Sequence, residues 1–325
     1  MKLATLTAKN RDGRLIVVDK QLANYALPDA ELSLQSALDN WTSIAPELEE
    51  LYQQLNANRC AAFTFNPNEL RAPLPRAYQW LDGSAYLSHV ERVRKARGAE
   101  LPSSLFDDPL MYQGASDHML AALDPITAAS DAWGIDFEAE VGVVTDDVPV
   151  GVSEEEAQTH IKLLLLINDV SLRNLIPGEL AKGFGFIHGK PATAFSPVAV
   201  TPDELGDDWH GGKLHLPLSV YWNEQLFGEA NAGTDMQFSF SRLISHAAKT
   251  RRLTAGTIIG SGTVSNYDQS VGCSCIVEQR MLEIVASGAP TTEFMRYGDR
   301  VRIEMLDRSG ESIFGVIEQK VMPWQ

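Results

Sequence analysis

Two glutamates two residues apart, Glu138 and Glu140, lie in the apolar stretch from Ile135 to Val144. In a strand, residues i and i+2 project to the same side, with Cα atoms roughly 7 Å apart. Carboxylates that close repel each other unless a cation sits between them. A bare Glu-x-Glu reads most simply as a solvated strand face. Here Ile135, Phe137, Val141, Val143 and Val144 surround the pair with apolar side chains, so the carboxylates need a partner. Asp169 ends the run Leu163-Leu-Leu-Leu-Ile-Asn-Asp169. Alone it reads as a turn or helix cap, but polar residues at the end of a buried strand also build sites. Such a set suits a hard cation, Mg²⁺, Ca²⁺ or Mn²⁺, rather than zinc.

Other residues with chemical potential lie nearby in sequence. Asp82 precedes His89 in Asp82-Gly-Ser-Ala-Tyr-Leu-Ser-His89. A lone helical histidine carries little weight by position. Arg173, Lys190 and Arg97 are basic residues near acidic ones, in a chain of net charge −16. They suit a substrate with carboxylate or enolate oxygens; otherwise each is a surface ion pair. Gly260-Ser-Gly-Thr263 is a glycine-rich turn without the lysine of a phosphate-binding loop. It can present backbone N–H groups to an anion. Glu278 lies further on, in Ile-Val-Glu-Gln-Arg.

The elements that position these residues follow from periodicity. The 325-residue chain is 44% hydrophobic and 22% charged, an ordinary globular balance with about two domains as the prior. Its acidity argues against nucleic acid and anionic membrane surfaces as partners. The three cysteines show no framework spacing, Cys273 and Cys275 reading as part of a strand, and the N-terminus turns polar within ten residues. The expectation is a cytoplasmic protein. Short β-like runs at Lys2–Thr7 and Arg14–Asp19 and helical spacing from Leu32 to Leu55 precede the proline-rich segment Leu70–Pro75. A boundary there leaves a small β-plus-helix domain at 1–75 and a larger one at 76–325. Beyond it, strands are expected at Phe137–Val144, Leu163–Val170, Leu216–Trp222, Gly256–Gly260, Cys275–Val285, Arg300–Met305 and Ser312–Lys320. Helices are expected at Ser84–Arg97, Ser153–Leu163 and Phe240–Ala248. The class is α+β with a mixed, mostly antiparallel sheet.

Together the motifs resemble the fumarylacetoacetate hydrolase family, over about three-quarters of the chain from Asp82 onward. Phe137-Glu-Ala-Glu140 is similar to its Asp-x-Glu-x-Glu strand, and Asn168-Asp-Val-Ser-Leu-Arg173 to its Asn-Asp-x-Ser-x-Arg motif. Gly189-Lys190 with Phe195-Ser-Pro-Val resembles its Gly-Lys…Ser-Pro segment, and Gly260–Thr263 its Ser-Gly-Thr turn. The resemblance implies Asp82, Glu138, Glu140 and Asp169 as ligands of a divalent cation. It implies His89 as general base, oriented by Glu278 or in its place Glu283. Lys190 and Arg173 then act on the substrate oxygens, with Arg97, Tyr112 (in Met111-Tyr-Gln-Gly114) and Thr263 binding substrate.

The Asp-x6-His element is similar to the fumarylacetoacetase branch in particular. The implied reaction is hydrolytic C–C cleavage of a small anionic 1,3-diketo acid, first of all fumarylacetoacetate. Alternatives are acylpyruvate or fumarylpyruvate hydrolysis, hydration or decarboxylation of a 2-oxo acid, or metal-dependent binding without catalysis. The implied architecture is a C-terminal roll of mixed sheets behind a small SH3-like N-terminal β domain, assembled as a homodimer. Two departures bear on substrate. Leu175-Ile176-Pro177 replaces the branch's glutamine region, and no tyrosine precedes Gly189-Lys190.

Overall fold

The computed structural model describes residues 1–96 and 103–324. At its centre, strand Ala139–Thr145 pairs antiparallel with Ile161–Asn168. Leu163, Leu165 and Ile167 join Val144 in one core cluster, while Leu164 and Leu166 join Val141 and Val143 in the other. Both faces of these strands are therefore buried, which is why the leucine run is continuous rather than alternating.

Three further strands extend this sheet in one direction. Ile258–Gly260 runs antiparallel to Ala139–Thr145. Trp80–Gly83 lies parallel to Ile258–Gly260, and Met111–Gln113 is antiparallel at the edge. In the other direction come Val198–Val200, Lys2–Leu6, Arg14–Val18, Asn24–Ala26 and Phe63–Thr64. The N-terminal strands thus continue the central sheet by direct pairing across the boundary expected near residue 75. Helix Trp41–Asn56 contributes Leu48 and Tyr52 to the core on that side. A second sheet runs Gln225–Asn231, Pro217–Trp222, Arg300–Glu304, Ile317–Pro323, Ile126–Ala128. Its last pair is parallel, so both sheets are mixed and the class is α+β. No helix among the described residues is long and apolar enough to cross a membrane.

Two expected elements differ. Cys275–Val285, expected as a strand, is a helix over Ile276–Ser287. The β-branched Ile-Val start is outweighed by Glu-Gln-Arg-Met-Leu-Glu, all good helix formers. A buried carboxylate, Asp136, also accepts the N–H groups of Ile276 and Val277. The Cys273/Cys275 pair accordingly sits in the turn ahead of this helix, not in a strand. Ser153–Leu163, expected as a helix, is helical only over Glu154–Ala157, with a 3₁₀ turn to His160. From Ile161 the apolar run is claimed by the central sheet.

Candidate active site

Four carboxylates meet at one end of the central sheet, because Ile161–Asn168 and Trp80–Gly83 both run opposite to Ala139–Thr145 and end where that strand begins. Asp169 follows the end of Ile161–Asn168, Glu138 and Glu140 flank the start of its antiparallel neighbour, and Asp82 pairs in register with Gly260. One oxygen from each lies within 4.8 Å of those of the others. All four residues are buried, Glu140 and Asp169 completely. A Cβ at Gly260 would stand 2.4 Å from Asp82 Oδ1, so only glycine lets the strands approach here. Gly262, at φ +73°, donates its N–H to Asp82 Oδ1 at 3.0 Å. The Gly260–Thr263 turn is thus a support for Asp82, with Thr263 buried beside it.

The partners of the four are unequal. Asp169 accepts from Lys190 Nζ at 2.5 Å, Tyr112 Oη at 2.5 Å and Thr193 Oγ1 at 2.9 Å. Glu138 accepts from Lys190 Nζ at 2.7 Å and from Arg173. Glu140 has no hydrogen-bond partner for either oxygen among the described residues. Buried polar atoms are normally satisfied, so this carboxylate lacks a counterpart.

Charge tells the same story. Burial pushes the Glu140 carboxyl well above its usual range, and Asp82, Asp169 and Glu138 push the same way. Asp82 is raised by burial and by Asp169. Glu138 resists its burial because Arg173 and Lys190 hold it down, to about 2. Burial would lower Lys190, but Asp169 and Glu138 raise it instead. Tyr112, pushed up by burial and by Asp169, stays a phenol that donates to Asp169. An all-oxygen cage with an orphaned carboxylate fits a hard divalent cation, and such a cation reverses the mutual repulsion of Asp82 and Glu140.

Beside the cage is a histidine–carboxylate pair. His89, on helix Leu87–Ala96, places Nδ1 2.5 Å from Glu278 Oε2 on helix Ile276–Ser287. Glu283 bonds Thr291 and Thr292 instead, which leaves Glu278 as the partner of His89. Burial works against the Glu278 charge, but the hydrogen bond and charge of His89, then Arg92, keep its carboxyl below the usual range. The backbone of Glu138 bridges Cys275, three residues before Glu278, so cage and pair are contiguous.

Sequence reasoning singled out neither of the two acidic residues that tie this region together. Asp136, fully buried, accepts Ile276 N at 2.8 Å, Val277 N at 2.9 Å and Arg173 Nε at 2.8 Å. It joins the cage strand, Arg173 and the start of the Glu278 helix. Its i−2 spacing from Glu138 was the available signal. Asp136→Ala removes one of the two carboxylates that Arg173 bonds and leaves the N–H groups of Ile276 and Val277 without their acceptor. The expected cost is about 3–5 kcal/mol of stability, read by urea unfolding; a loss below about 1 kcal/mol would refute this linkage.

Glu179 collects the N–H groups of Ile187, His188 and Gly189 at 2.8–2.9 Å and so shapes the turn that delivers Lys190. Nothing in sequence marks it. Glu179→Ala is expected to lower kcat/KM about tenfold through misplacement of Lys190. Unchanged steady-state kinetics would show that the turn holds without it. Phe186, in the same loop, packs edge-on against Tyr112 with centroids 5.2 Å apart.

Of the expected site residues, Asp82, Glu138, Glu140, Asp169, Lys190, Arg173 and Tyr112 come together around the cage, and His89 with Glu278 beside it. Arg97 lies outside the described residues.

Residues 79–322 match the family model described as fumarylacetoacetate hydrolase C-terminal, and residues 1–76 match fumarylacetoacetase N-terminal domain 2. The chain is 30% identical to 2,4-didehydro-3-deoxy-L-rhamnonate hydrolase of a Sphingomonas strain over 159 residues, 48% of this chain and 53% of that protein. It thus spans about half the length of that relative. It is 24% identical over 273 residues to the oxaloacetate tautomerase YisK of Bacillus subtilis, covering 82% of this chain and 79% of that one. Its fold matches the crystal structure of maleylpyruvate hydrolase from Sphingobium over the whole of both chains, with TM-score 0.65 and 15% identity. With three-quarters of its length matched, this chain belongs to the fumarylacetoacetate hydrolase family.

Proposed function

We propose that this protein hydrolyses a carbon–carbon bond in a small anionic 1,3-diketo acid, in the manner of the fumarylacetoacetase branch, with fumarylacetoacetate as the first substrate to test. The observation that carries the reading is the His89–Glu278 pair set against the four-carboxylate cage: a cage alone serves binding, whereas the pair adds a base. Asp82, Glu138, Glu140 and Asp169 would hold the cation, Mg²⁺, Ca²⁺ or Mn²⁺. The maleylpyruvate hydrolase of Sphingobium has been solved with manganese(II) and pyruvate. When bound, the cation would supply Lewis acidity to the substrate.

The chain's own groups do the rest. His89, held by Glu278, takes a proton from water. The hydroxide adds to the ketone carbon, and Lys190 and Arg173 stabilise the oxygen that gains charge, with the Thr263 backbone as a further donor. The bond between that carbon and the central carbon breaks, and its electron pair stays on the central carbon. His89 returns its proton there. Water has then supplied OH to one fragment and H to the other. Tyr112 and Arg97 are the groups assigned to the substrate carboxylate.

A second reading rests on the Bacillus relative, the tautomerase aligned over most of both chains. A base beside a bound oxo acid would also serve keto–enol exchange. Incubating the protein and Mn²⁺ with fumarylacetoacetate, acetylpyruvate and oxaloacetate separates the two. Loss of diketone absorbance with release of two acids supports hydrolysis; enol–keto exchange of oxaloacetate without diketone cleavage supports tautomerisation and overturns the hydrolase reading. The homodimer and the SH3-like character of the first 75 residues are parts of the same proposal, drawn from the family likeness.

A further inference from the structure

Arg92 is one turn along the helix from His89, on the same face. Its side chain is 11% exposed and bonded through both terminal nitrogens. Nη1 donates to Glu278 Oε1 and, at 3.1 Å, to Ser265 Oγ. Nη2 donates to the carbonyls of Asn266 at 2.6 Å and Tyr267 at 3.2 Å. Ser265 itself donates to Glu278 Oε1 at 2.9 Å. The two oxygens of Glu278 are thus divided: Oε2 faces His89, while Oε1 is gripped by Arg92 and Ser265.

This division has a physical consequence. A carboxylate fully inside the protein can rotate or protonate unless its second oxygen is anchored by charge-assisted bonds. A guanidinium fork fixed by two backbone carbonyls is such an anchor, and an ammonium on a flexible stem is a poorer one. We propose that Arg92 is a positioning residue that acts through Glu278. By holding Oε1 it keeps the carboxylate ionised and turned so that Oε2 fixes the imidazole of His89. The proposal rests on the reading of His89 as the base.

The test compares two backgrounds with the full-length protein, Mn²⁺ and the diketo acid it cleaves faster, fumarylacetoacetate or acetylpyruvate. Arg92→Ala is expected to lower kcat about 10- to 100-fold, with KM and the calorimetric Mn²⁺ affinity changed by less than about threefold. In a Glu278→Gln background the same substitution is expected to cost less than about threefold, because the group it acts through is gone. Millimolar guanidinium should restore part of kcat to Arg92→Ala and none to the double variant. Arg92→Lys, which keeps the charge but loses the fork, should fall between, and it carries the same comparison if Arg92→Ala does not fold. An equal loss in both backgrounds overturns the proposal, since a merely structural residue acts regardless of Glu278. If Glu278→Gln alone keeps near-normal kcat while Arg92→Ala does not, the base assignment itself fails, and the Arg92 role with it.

Discussion

Glu140→Ala is expected to abolish divalent-cation binding, weakening Mn²⁺ affinity by on the order of 10²-fold or more. The argument starts from what each carboxylate already does. Asp169 is occupied by Lys190, Tyr112 and Thr193, Glu138 by Lys190 and Arg173, and Asp82 by the Gly262 N–H. Glu140 alone of the four keeps both oxygens unpartnered among the described residues, at zero exposure. Its whole coordinating capacity is therefore available to a cation.

A second readout follows from linkage. A cation that binds only the folded chain stabilises it by about 2.7 kcal/mol at one hundred times its dissociation constant. The native protein should gain that stability with Mn²⁺, and Glu140→Ala should not. Calorimetry showing unchanged Mn²⁺ and Mg²⁺ binding in the variant would rule out the cage as the cation site.

His89→Ala is the next largest effect, and it differs in kind. Removal of the base should lower kcat for diketo-acid cleavage by about 10² or more. The cation site should be left intact, because His89 bonds Glu278 and none of the four carboxylates. Near-normal turnover by the variant, or loss of Mn²⁺ binding with it, would overturn the assignment. The two substitutions together separate holding a cation from performing hydrolysis. A protein that only binds an oxo acid would need the first function and be indifferent to the second.

Much of the site was legible in the sequence, for local reasons. The i, i+2 spacing of Glu138 and Glu140 in an apolar strand already required a partner charge, and the structure leaves both side chains buried. The leucine run ending in Asn168-Asp169 declared a strand buried on both faces, with a polar end. Local periodicity also located the helix that carries His89, although it starts at Leu87 rather than Ser84.

Other features depended on contacts that no local pattern encodes. The run after Cys275 looked like a strand from its β-branched start. It became a helix whose first N–H groups Asp136 accepts from a strand some 140 residues earlier. That change of element puts Glu278 on a helix facing His89 and sends Glu283 to Thr291 and Thr292, which decides between the two glutamates. A proline-rich segment sets off the N-terminal strands in sequence, and nothing local announces that Lys2–Leu6 pairs with Val198–Val200 in the central sheet. Residue types and their spacing along single strands and helices determined which groups could carry chemistry. The tertiary structure alone decided how they meet: the ends of Trp80–Gly83 and Ile161–Asn168 and the start of Ala139–Thr145 fall at one end of one sheet, and that arrangement depends on pairing between distant segments rather than on local sequence.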